Sequence, residues 1–289
     1  MDGIKMKDVN LLLLAVFPLT FLIAYPFGHI LMFVIIRAWI GKNDLNFRDF
    51  LYLKRTKASI VFFSVLIGAF LALMNFFNHF YFRYNIELLG SNKFSLSLSN
   101  LWFLFTFCVF GPVIEELFFR GFLYNFYKNK GIFSAIILSS VFFSLTHFDA
   151  YRIIMIFIIG VFLALSYEIT KCFWVPVLIH GSINMIHTFL VFEPIAGFLK
   201  ELLYWIYGDN VLFFRLKLLL ISIVLCILAI LALLFIMHLS GNNIFKGKKF
   251  RNMIFINKDD DDPLIDTPLI LVFVISIVII VARVVFKQN

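Results

Sequence analysis

Charged side chains are scarce in this sequence, and that scarcity limits the kind of protein it encodes. Of 289 residues, 15% are Asp, Glu, Lys or Arg, whereas 62% are hydrophobic and 40 are Phe. A soluble globular domain has about 25% charged residues, so an ordinary water-soluble enzyme is excluded. The composition indicates an integral membrane protein, in which an ionisable group inside an apolar helix is costly and marks a candidate functional site.

Cysteine is also scarce, and the metal and nucleotide motifs of many soluble enzymes are missing. Cys108, Cys172 and Cys226 are isolated, without C-x-x-C spacing, which argues against a disulfide framework or a thiolate metal site. The sequence lacks H-E-x-x-H, a glycine-rich phosphate loop and an internal repeat. The run 259–262 consists of four Asp without the glycine turn and spacing of a calcium loop, so we expect a solvated loop there.

The net charge of +8 does not predict a nucleic-acid partner, because the basic residues form no stripe interleaved with aromatic residues. They are spread through loops between apolar runs, with the largest groups at 37–58 and 238–267. Cytoplasmic loops are enriched in Lys and Arg, so we expect these loops inside and both termini outside. The first apolar run, 11–36, is too long for the core of a cleavable signal peptide, and we expect it to remain as a membrane helix.

Eight apolar runs approach the roughly 20 residues that a spanning helix needs. They lie near 11–36, 59–81, 101–126, 131–148, 152–170, 173–191, 213–237 and 268–286. The sequence therefore predicts an all-α fold, a polytopic membrane helix bundle of about eight transmembrane helices.

Two adjacent carboxylates, Glu115 and Glu116, stand in the apolar segment 110–121. On an α-helix Glu116 and Arg120 share a face, whereas Glu115 is turned away by about 100°. We therefore expect Arg120 to pair with Glu116 and to leave Glu115 available as a general base, since desolvation and a neighbouring carboxylate raise the proton affinity of a buried Glu. A structural salt-bridge cluster is the alternative for this motif on its own.

His147 ends the next apolar helix, and its expected depth matches that of Glu115. With a hairpin turn near Asn129, the rise of about 1.5 Å per residue places Glu115 roughly 18 Å and His147 roughly 24 Å from the turn. Antiparallel neighbours would bring the two side chains to a similar level. An interfacial or core histidine is the alternative.

A third polar group follows on a later helix, where His180, Asn184 and His187 occupy one stripe of an otherwise apolar segment. Polar stripes in membrane helices face the bundle or water. If this helix starts near residue 173, His180 and Asn184 lie about 10 to 16 Å deep, near the expected level of Glu115.

These segments resemble the CAAX protease and bacteriocin-processing family of intramembrane glutamate peptidases, also described as the abortive-infection domain. The family pattern is E-E-x-x-x-R on one helix, F-x-x-x-H on the next and H-x-x-x-N or D on a later one. The matching residues are Glu115, Glu116 and Arg120, then Phe143 and His147, then His180 and Asn184. The resemblance makes 98–192 the catalytic core, with N-terminal membrane spans at 1–97 and C-terminal spans at 193–289.

The resemblance implies an eight-helix fold and hydrolysis of a peptide bond at a cavity within the membrane. It makes Glu115 the general base that activates a water, and it gives His147 the task of helping to hold that water. His180 and Asn184 would stabilise the oxyanion of the tetrahedral intermediate, for which fixed donors in a dry site are suited.

The same resemblance assigns Glu116 and Arg120 to the support of the site and Phe143 to packing. It implies no cofactor. A zinc-dependent version, in which a Glu and two His hold the metal together with a water, is the alternative, although these residues lack the spacing of zinc peptidase motifs.

The predicted function is that of an intramembrane endopeptidase resembling a CAAX prenyl protease. We expect it to act on a membrane-associated peptide or protein of the leader, signalling or bacteriocin type, with the lipid bilayer as its other partner. Abundant Phe, Ile, Lys and Asn suggest an AT-rich bacterial genome, so we expect a multi-pass protein of a bacterial plasma membrane. Two alternatives stay open: a proton-coupled transporter with Glu115, His147 and His180 as a relay, and a non-catalytic immunity or partner protein.

Overall fold

Helices account for nearly all of the described chain in a computed structural model. The structure describes residues 7–14, 27–42, 46, 48, 51–83, 92–93, 97–193, 195–207, 210–242, 244 and 267–286. The Asp run at 259–262 and most of the basic loop 238–267 lie outside the described residues, so the expectations for them stay predictions.

Besides helical residues 7–14, nine helices follow one another along the described part of the chain. They are α1 (Phe27–Lys42), α2 (Ala58–Arg83), α3 (Leu98–Lys130), α4 (Ile132–Leu145), α5 (Ile153–Thr170), α6 (Trp174–Val191), α7 (Ile195–Tyr207), α8 (Val211–Ser240) and α9 (Thr267–Phe286). The two-residue strands β1 (Asn92–Lys93) and β2 (Phe192–Glu193) pair in parallel.

Local sequence explains where several helices begin and end. The Asn210 side chain accepts hydrogen bonds from the backbone N–H groups of Leu212 and Phe213, at 2.8 and 3.3 Å, and so caps the start of α8. The turn between α3 and α4 lies at Gly131, whose φ of 123° is a conformation that glycine adopts without steric cost. This turn is two residues from the hairpin expected near Asn129.

Four of the described helices are long and apolar enough to cross a membrane, namely α2, α3, α5 and α8, while α4 and α9 are shorter apolar helices. Seven of the eight predicted spans coincide with a described helix, and the first is described only at its two ends. The predicted all-α membrane helix bundle is confirmed. One helix was missed: α7 follows β2 closely and carries Lys200 and Glu201 in its middle, so the sequence shows no separate apolar run there.

The chain divides into two units. The first comprises Met1–Arg55, Val113–Trp174 and Asn242–Asn289, and the second comprises Thr56–Pro112 and Val175–Gly241. The division falls inside α3, and each unit draws on all three of the sequence segments 1–97, 98–192 and 193–289. That three-segment division stays a prediction.

In the first unit, α4 packs against α5 and against the second half of α3. At the contact of α3 with α4 the Phe119 and Phe143 rings meet edge to face at 5.3 Å, and both side chains are buried. The approach of α5 to α4 depends on Gly160, because a Cβ atom there would lie 3.0 Å from the Ser140 Cα. This close contact places the backbone of α5 beside the polar residues of α3.

In the second unit, α2 packs along α8, and α7 contacts α8. Side chains from all three helices form one apolar cluster, which includes Phe76, Phe80, Leu199, Leu203 and Phe214. The first half of α3 approaches α6 so closely that a Cβ atom at Gly181 would lie 2.6 Å from the carbonyl oxygen of Cys108.

Candidate active site

The Glu pair lies in a short α-helical segment of α3 between two stretches of wider π-helix. Gly111–Glu116 is α-helical, whereas Thr106–Phe110 before it and Leu117–Tyr124 after it are π-helical. Pro112 has no N–H to donate to the carbonyl of Cys108, four residues earlier, so the regular hydrogen-bond ladder is interrupted there. Wider turns of this kind occur often at functional sites. These wide turns were not predicted from the sequence, although Pro112 was a visible signal.

Arg120 pairs with Glu116, as the helical spacing predicted. The Arg120 Nε atom lies 3.1 Å from Glu116 Oε2, and Nη1 lies 3.2 Å from Oε1. Both side chains are fully buried, with 0% of their surface exposed. A paired, two-contact geometry is the arrangement that best offsets the loss of water around both charges.

Three further contacts fix the guanidinium group. Its Nη2 donates a hydrogen bond of 3.0 Å to the carbonyl oxygen of Gly160 on α5. Its Cζ lies 4.7 Å from the centroid of the Phe143 ring and 5.7 Å from that of Phe119, within range of a cation–π interaction. Arg120 therefore links α3 to both α4 and α5.

The resemblance assigned Phe143 to packing, and its contacts give it a second role. Besides covering Arg120, its carbonyl oxygen lies 2.8 Å from Nδ1 of His147, and the two rings meet edge to face at 4.9 Å. A carbonyl oxygen only accepts hydrogen bonds, so Nδ1 carries the hydrogen and the neutral imidazole has its lone pair on Nε2. Phe143 thus joins the buried ion pair to the orientation and tautomer of His147.

Glu115 is half-buried, and its carboxylate interacts electrostatically with the Arg120 guanidinium, more weakly than Glu116 does. The predicted pairing of Arg120 with Glu116 is confirmed, and the role of Glu115 as a general base stays a prediction.

His147 lies just beyond the end of α4, which closes at Leu145 with Thr146 as its C-cap, and its side chain is exposed. Its placement contrasts with that of Arg120, which is fully buried on the other side of Phe143. Four of the predicted site residues, namely Glu115, Glu116, Arg120 and His147, belong to the first unit.

His180 and Asn184 belong to the second unit, on α6. His180 is buried, with 4% of its surface exposed, and Asn184 and His187 are half-buried. The Asn184 Nδ2 group donates a hydrogen bond of 2.9 Å to the carbonyl oxygen of Phe107. Phe107 lies in the first π-helical stretch of α3, so the wide turn supplies the acceptor that anchors Asn184.

A metal ion would need several donor side chains close together within a unit. Among the described residues of either unit taken alone, no three His, Cys, Asp or Glu side chains are grouped closely enough to hold a metal. In the first unit Glu116 is bound by Arg120, which leaves Glu115 and His147 as donors, whereas a catalytic zinc takes three protein ligands. Both the metal-free expectation and the zinc alternative stay predictions.

Comparison with known proteins finds one matched region that contains Glu115, Glu116, Arg120, His147, His180 and Asn184. Residues 97–186 match the family described as "Type II CAAX prenyl endopeptidase Rce1-like". The chain is also 30% identical over 190 residues to "UPF0177 protein YbdJ" of Lactococcus lactis subsp. lactis (strain IL1403), which covers 61% of this chain and 82% of YbdJ. The chain belongs to the Rce1-like family.

A second relative of this Rce1-like chain is "Putative membrane peptidase YdiL" of Bacillus subtilis (strain 168), 30% identical over 94 residues. That alignment covers 32% of this chain and 38% of YdiL, so the chain spans little more than a third of that relative. No solved structure matches the chain significantly. The family resemblance read from the three motifs is confirmed, and the family together with the apolar helices makes this an integral membrane protein.

Proposed function

We propose that this Rce1-like chain is an intramembrane endopeptidase that hydrolyses a peptide bond in a membrane-associated peptide or protein. The observation that carries the proposal is the fully buried Glu116–Arg120 pair, which is joined through Phe143 to His147 and lies beside Glu115. An apolar helix accepts such a cluster at a large desolvation cost, which is the usual sign of a functional site in a membrane protein.

In the proposed reaction, Glu115 takes a proton from a water molecule while the water oxygen attacks the peptide carbonyl carbon. The Nε2 lone pair of His147 accepts a hydrogen bond from the same water and so orients it. When the tetrahedral intermediate collapses, the C–N bond breaks and Glu115 returns the proton to the leaving amine. This is general base and then general acid catalysis by one carboxyl group.

Glu116 and Arg120 are positioning residues in this proposal. Arg120 holds the helix turn that bears Glu115 against α5 through the carbonyl of Gly160, and Glu116 balances the charge of Arg120. These contacts therefore hold in place the helix turn that bears Glu115.

We assign the stabilisation of the oxyanion in the tetrahedral intermediate to the side chains of His180 and Asn184. The amide of Asn184 carries two hydrogens, one of which is held by Phe107, so the group is oriented before substrate arrives. A donor that needs no reorganisation during the reaction is the kind that stabilises a developing negative charge most effectively.

The substrate we favour is a leader, signalling or bacteriocin-type peptide, and the location we favour is a bacterial plasma membrane. In support, the two relatives above come from bacteria, and one of them carries the name "Putative membrane peptidase YdiL".

The test is cleavage of candidate peptides by the purified protein in lipid nanodiscs. Glu115→Gln should lower the turnover of any cleaved peptide by at least about a hundredfold, the usual contribution of a general base. The matched control is Glu201→Gln, at an exposed glutamate of α7, which should leave turnover unchanged. Full activity of Glu115→Gln would overturn the assignment.

The same assay separates the metal-free reaction from the zinc version. Turnover that survives exhaustive chelation supports the Glu-activated water. Turnover that is lost to the chelator and restored by added zinc would replace that mechanism with the zinc alternative.

A further inference from the structure

A second ionic cluster lies in the first unit, where α3 and α5 end. The Oε2 atom of Glu168 accepts a hydrogen bond of 2.7 Å from the Tyr124 hydroxyl, lies 3.0 Å from the Lys128 Nζ and forms an ion pair with the Lys171 Nζ. One carboxylate oxygen therefore faces two ammonium groups and a phenol. The proposed peptidase reaction uses none of these groups.

The cluster carries more positive than negative charge. Lys128 and Lys171 supply two ammonium groups against the single carboxylate of Glu168. Helix C-termini carry partial negative charge, which offsets part of the excess because both lysines lie at helix ends. That effect does not require the two lysines to converge on one oxygen.

Lys171 has unused hydrogen-bonding capacity. Its Nζ atom is buried and meets the Glu168 carboxylate in an ion pair, and an ammonium group has three hydrogens to donate. Burial, opposed by Glu168 and assisted by the Lys128 ammonium, lowers the pKa of Lys171 to about 8. An additional acceptor with negative charge would satisfy the donors and relieve the repulsion between the two ammonium groups.

Two left-handed backbone positions and the Tyr52 ring belong to the same cluster. Tyr52 and Lys171 both adopt left-handed conformations, with φ of 51° and 47°, which cost free energy in residues other than glycine. The Tyr52 ring centroid lies 5.9 Å from the Lys128 Nζ and 5.5 Å from the Lys171 Nζ. The Tyr52 carbonyl is held by a hydrogen bond of 3.3 Å from the backbone N–H of Phe173.

The cluster lies where two apolar spans end. Lys128 is in the last turn of α3, and Lys171 directly follows α5. Both side chains remain 25% exposed, whereas the Glu168 side chain is only 6% exposed. The partly exposed Lys128 side chain gives an anion access to the cluster, whereas the Lys171 Nζ atom is itself buried. The ends of membrane spans lie at the level of lipid headgroups.

We propose that Lys128, Lys171 and Tyr52 form a binding site for a phosphate-bearing anion, with an anionic phospholipid headgroup as its expected source. Lysine is a common phosphate ligand in proteins, and basic pockets beside membrane helices bind phospholipid headgroups through the same charges. Glu168 orients the two ammonium groups from the buried side.

The experiment measures the thermal unfolding midpoint of the purified full chain in detergent with added phosphatidylglycerol, phosphatidylcholine or inorganic phosphate, together with lipid retained in native mass spectrometry. Wild type should be stabilised by phosphatidylglycerol and retain it in preference to phosphatidylcholine. Stabilisation by phosphate as well supports a site open to free anions, and stabilisation by phosphatidylglycerol alone assigns the site to lipid. A wild-type protein that responds to neither anion overturns the proposal.

Variants locate the effect at this cluster. Lys128→Gln and Lys171→Gln should each weaken phosphatidylglycerol binding about fivefold, the loss expected for one lysine near an anionic surface, while Lys171→Arg should preserve it. The control is Lys217→Gln, since Lys217 donates to the carbonyl of Ile206 and takes no part in the cluster. A phosphatidylglycerol preference that is unchanged in the Lys128→Gln, Lys171→Gln double variant also overturns the proposal.

Discussion

The first unit contains two buried ionic clusters that are built from the same kinds of group and differ in balance. Around Glu116 the paired guanidinium is fully buried and is held by a carboxylate, a backbone carbonyl and an aromatic ring. Around Glu168 two lysines share one carboxylate oxygen, and their side chains stay partly exposed. The difference suggests that the first cluster positions a reacting group, whereas the second is left able to receive an anion.

The largest expected effect comes from breaking the buried ion pair between Glu116 and Arg120. Arg120→Gln should lower the free energy of unfolding by about 3–5 kcal/mol, because it leaves buried carboxylates without their counter-charge. Chemical unfolding of the purified protein measures the change. Lys128→Gln is the comparison, and an Arg120 variant no less stable than that one would contradict the contrast between the clusters.

A smaller effect is expected where the aromatic ring covers Arg120. Phe143→Leu and Phe142→Leu should each destabilise by about 1–2 kcal/mol, because both rings are buried. Only Phe143→Leu should also lower peptide hydrolysis, since Phe142 stacks on Phe273 instead. Unfolding curves and turnover measured on the same samples separate the two effects, and equal turnover in both variants would remove Phe143 from the site.

The cluster around Glu168 should be more tolerant of substitution. Lys128→Gln in phosphatidylcholine alone should cost less than about 1 kcal/mol, as partly exposed ion pairs contribute little. Adding phosphatidylglycerol should widen the gap between wild type and variant. A large loss already present in phosphatidylcholine would mean that this cluster is as structural as the one around Arg120.

The last expected effect is the pH response of Lys171. Its pKa in the folded chain, about 8, lies below the usual value of about 10.4, so the folded state binds fewer protons than the unfolded state between these values. The free energy of unfolding from this group therefore rises with pH across that window, and the cost is fully present below pH of about 8.

The midpoint difference between wild type and Lys171→Gln, measured at about pH 7.5 and about pH 9.5, isolates this contribution. The difference should shift in favour of wild type at the higher pH. Glu168, Lys128, Tyr52 and Tyr124 face the same group, and all are present in both proteins. A difference that is constant over the range would contradict the assigned pKa.

Several features were predictable because they depend on local spacing and composition. The apolar runs marked the spans, and the separation of four residues between Glu116 and Arg120 predicted their ion pair. The family pattern identified the region that contains the candidate site. Each of these follows from helical periodicity or from the cost of placing charge in hydrocarbon.

The π-helical turns on either side of the Glu pair were less accessible, because they depend on the helices that pack against α3. Pro112 interrupts the hydrogen-bond ladder, but the use of the Phe107 carbonyl by Asn184 joins residues 77 positions apart. Likewise, nothing in the spacing of Tyr52, Lys128 and Glu168 indicates that they meet.

The sequence by itself determined the class of molecule, the positions of the described helices other than α7, and the Glu116–Arg120 pair, since composition and helical geometry act over a few residues. Only the tertiary structure decided that Phe143 covers Arg120, that Gly160 accepts its hydrogen bond, and that two lysines converge on Glu168. Those contacts join separate helices, so they depend on how the helices pack rather than on any local pattern.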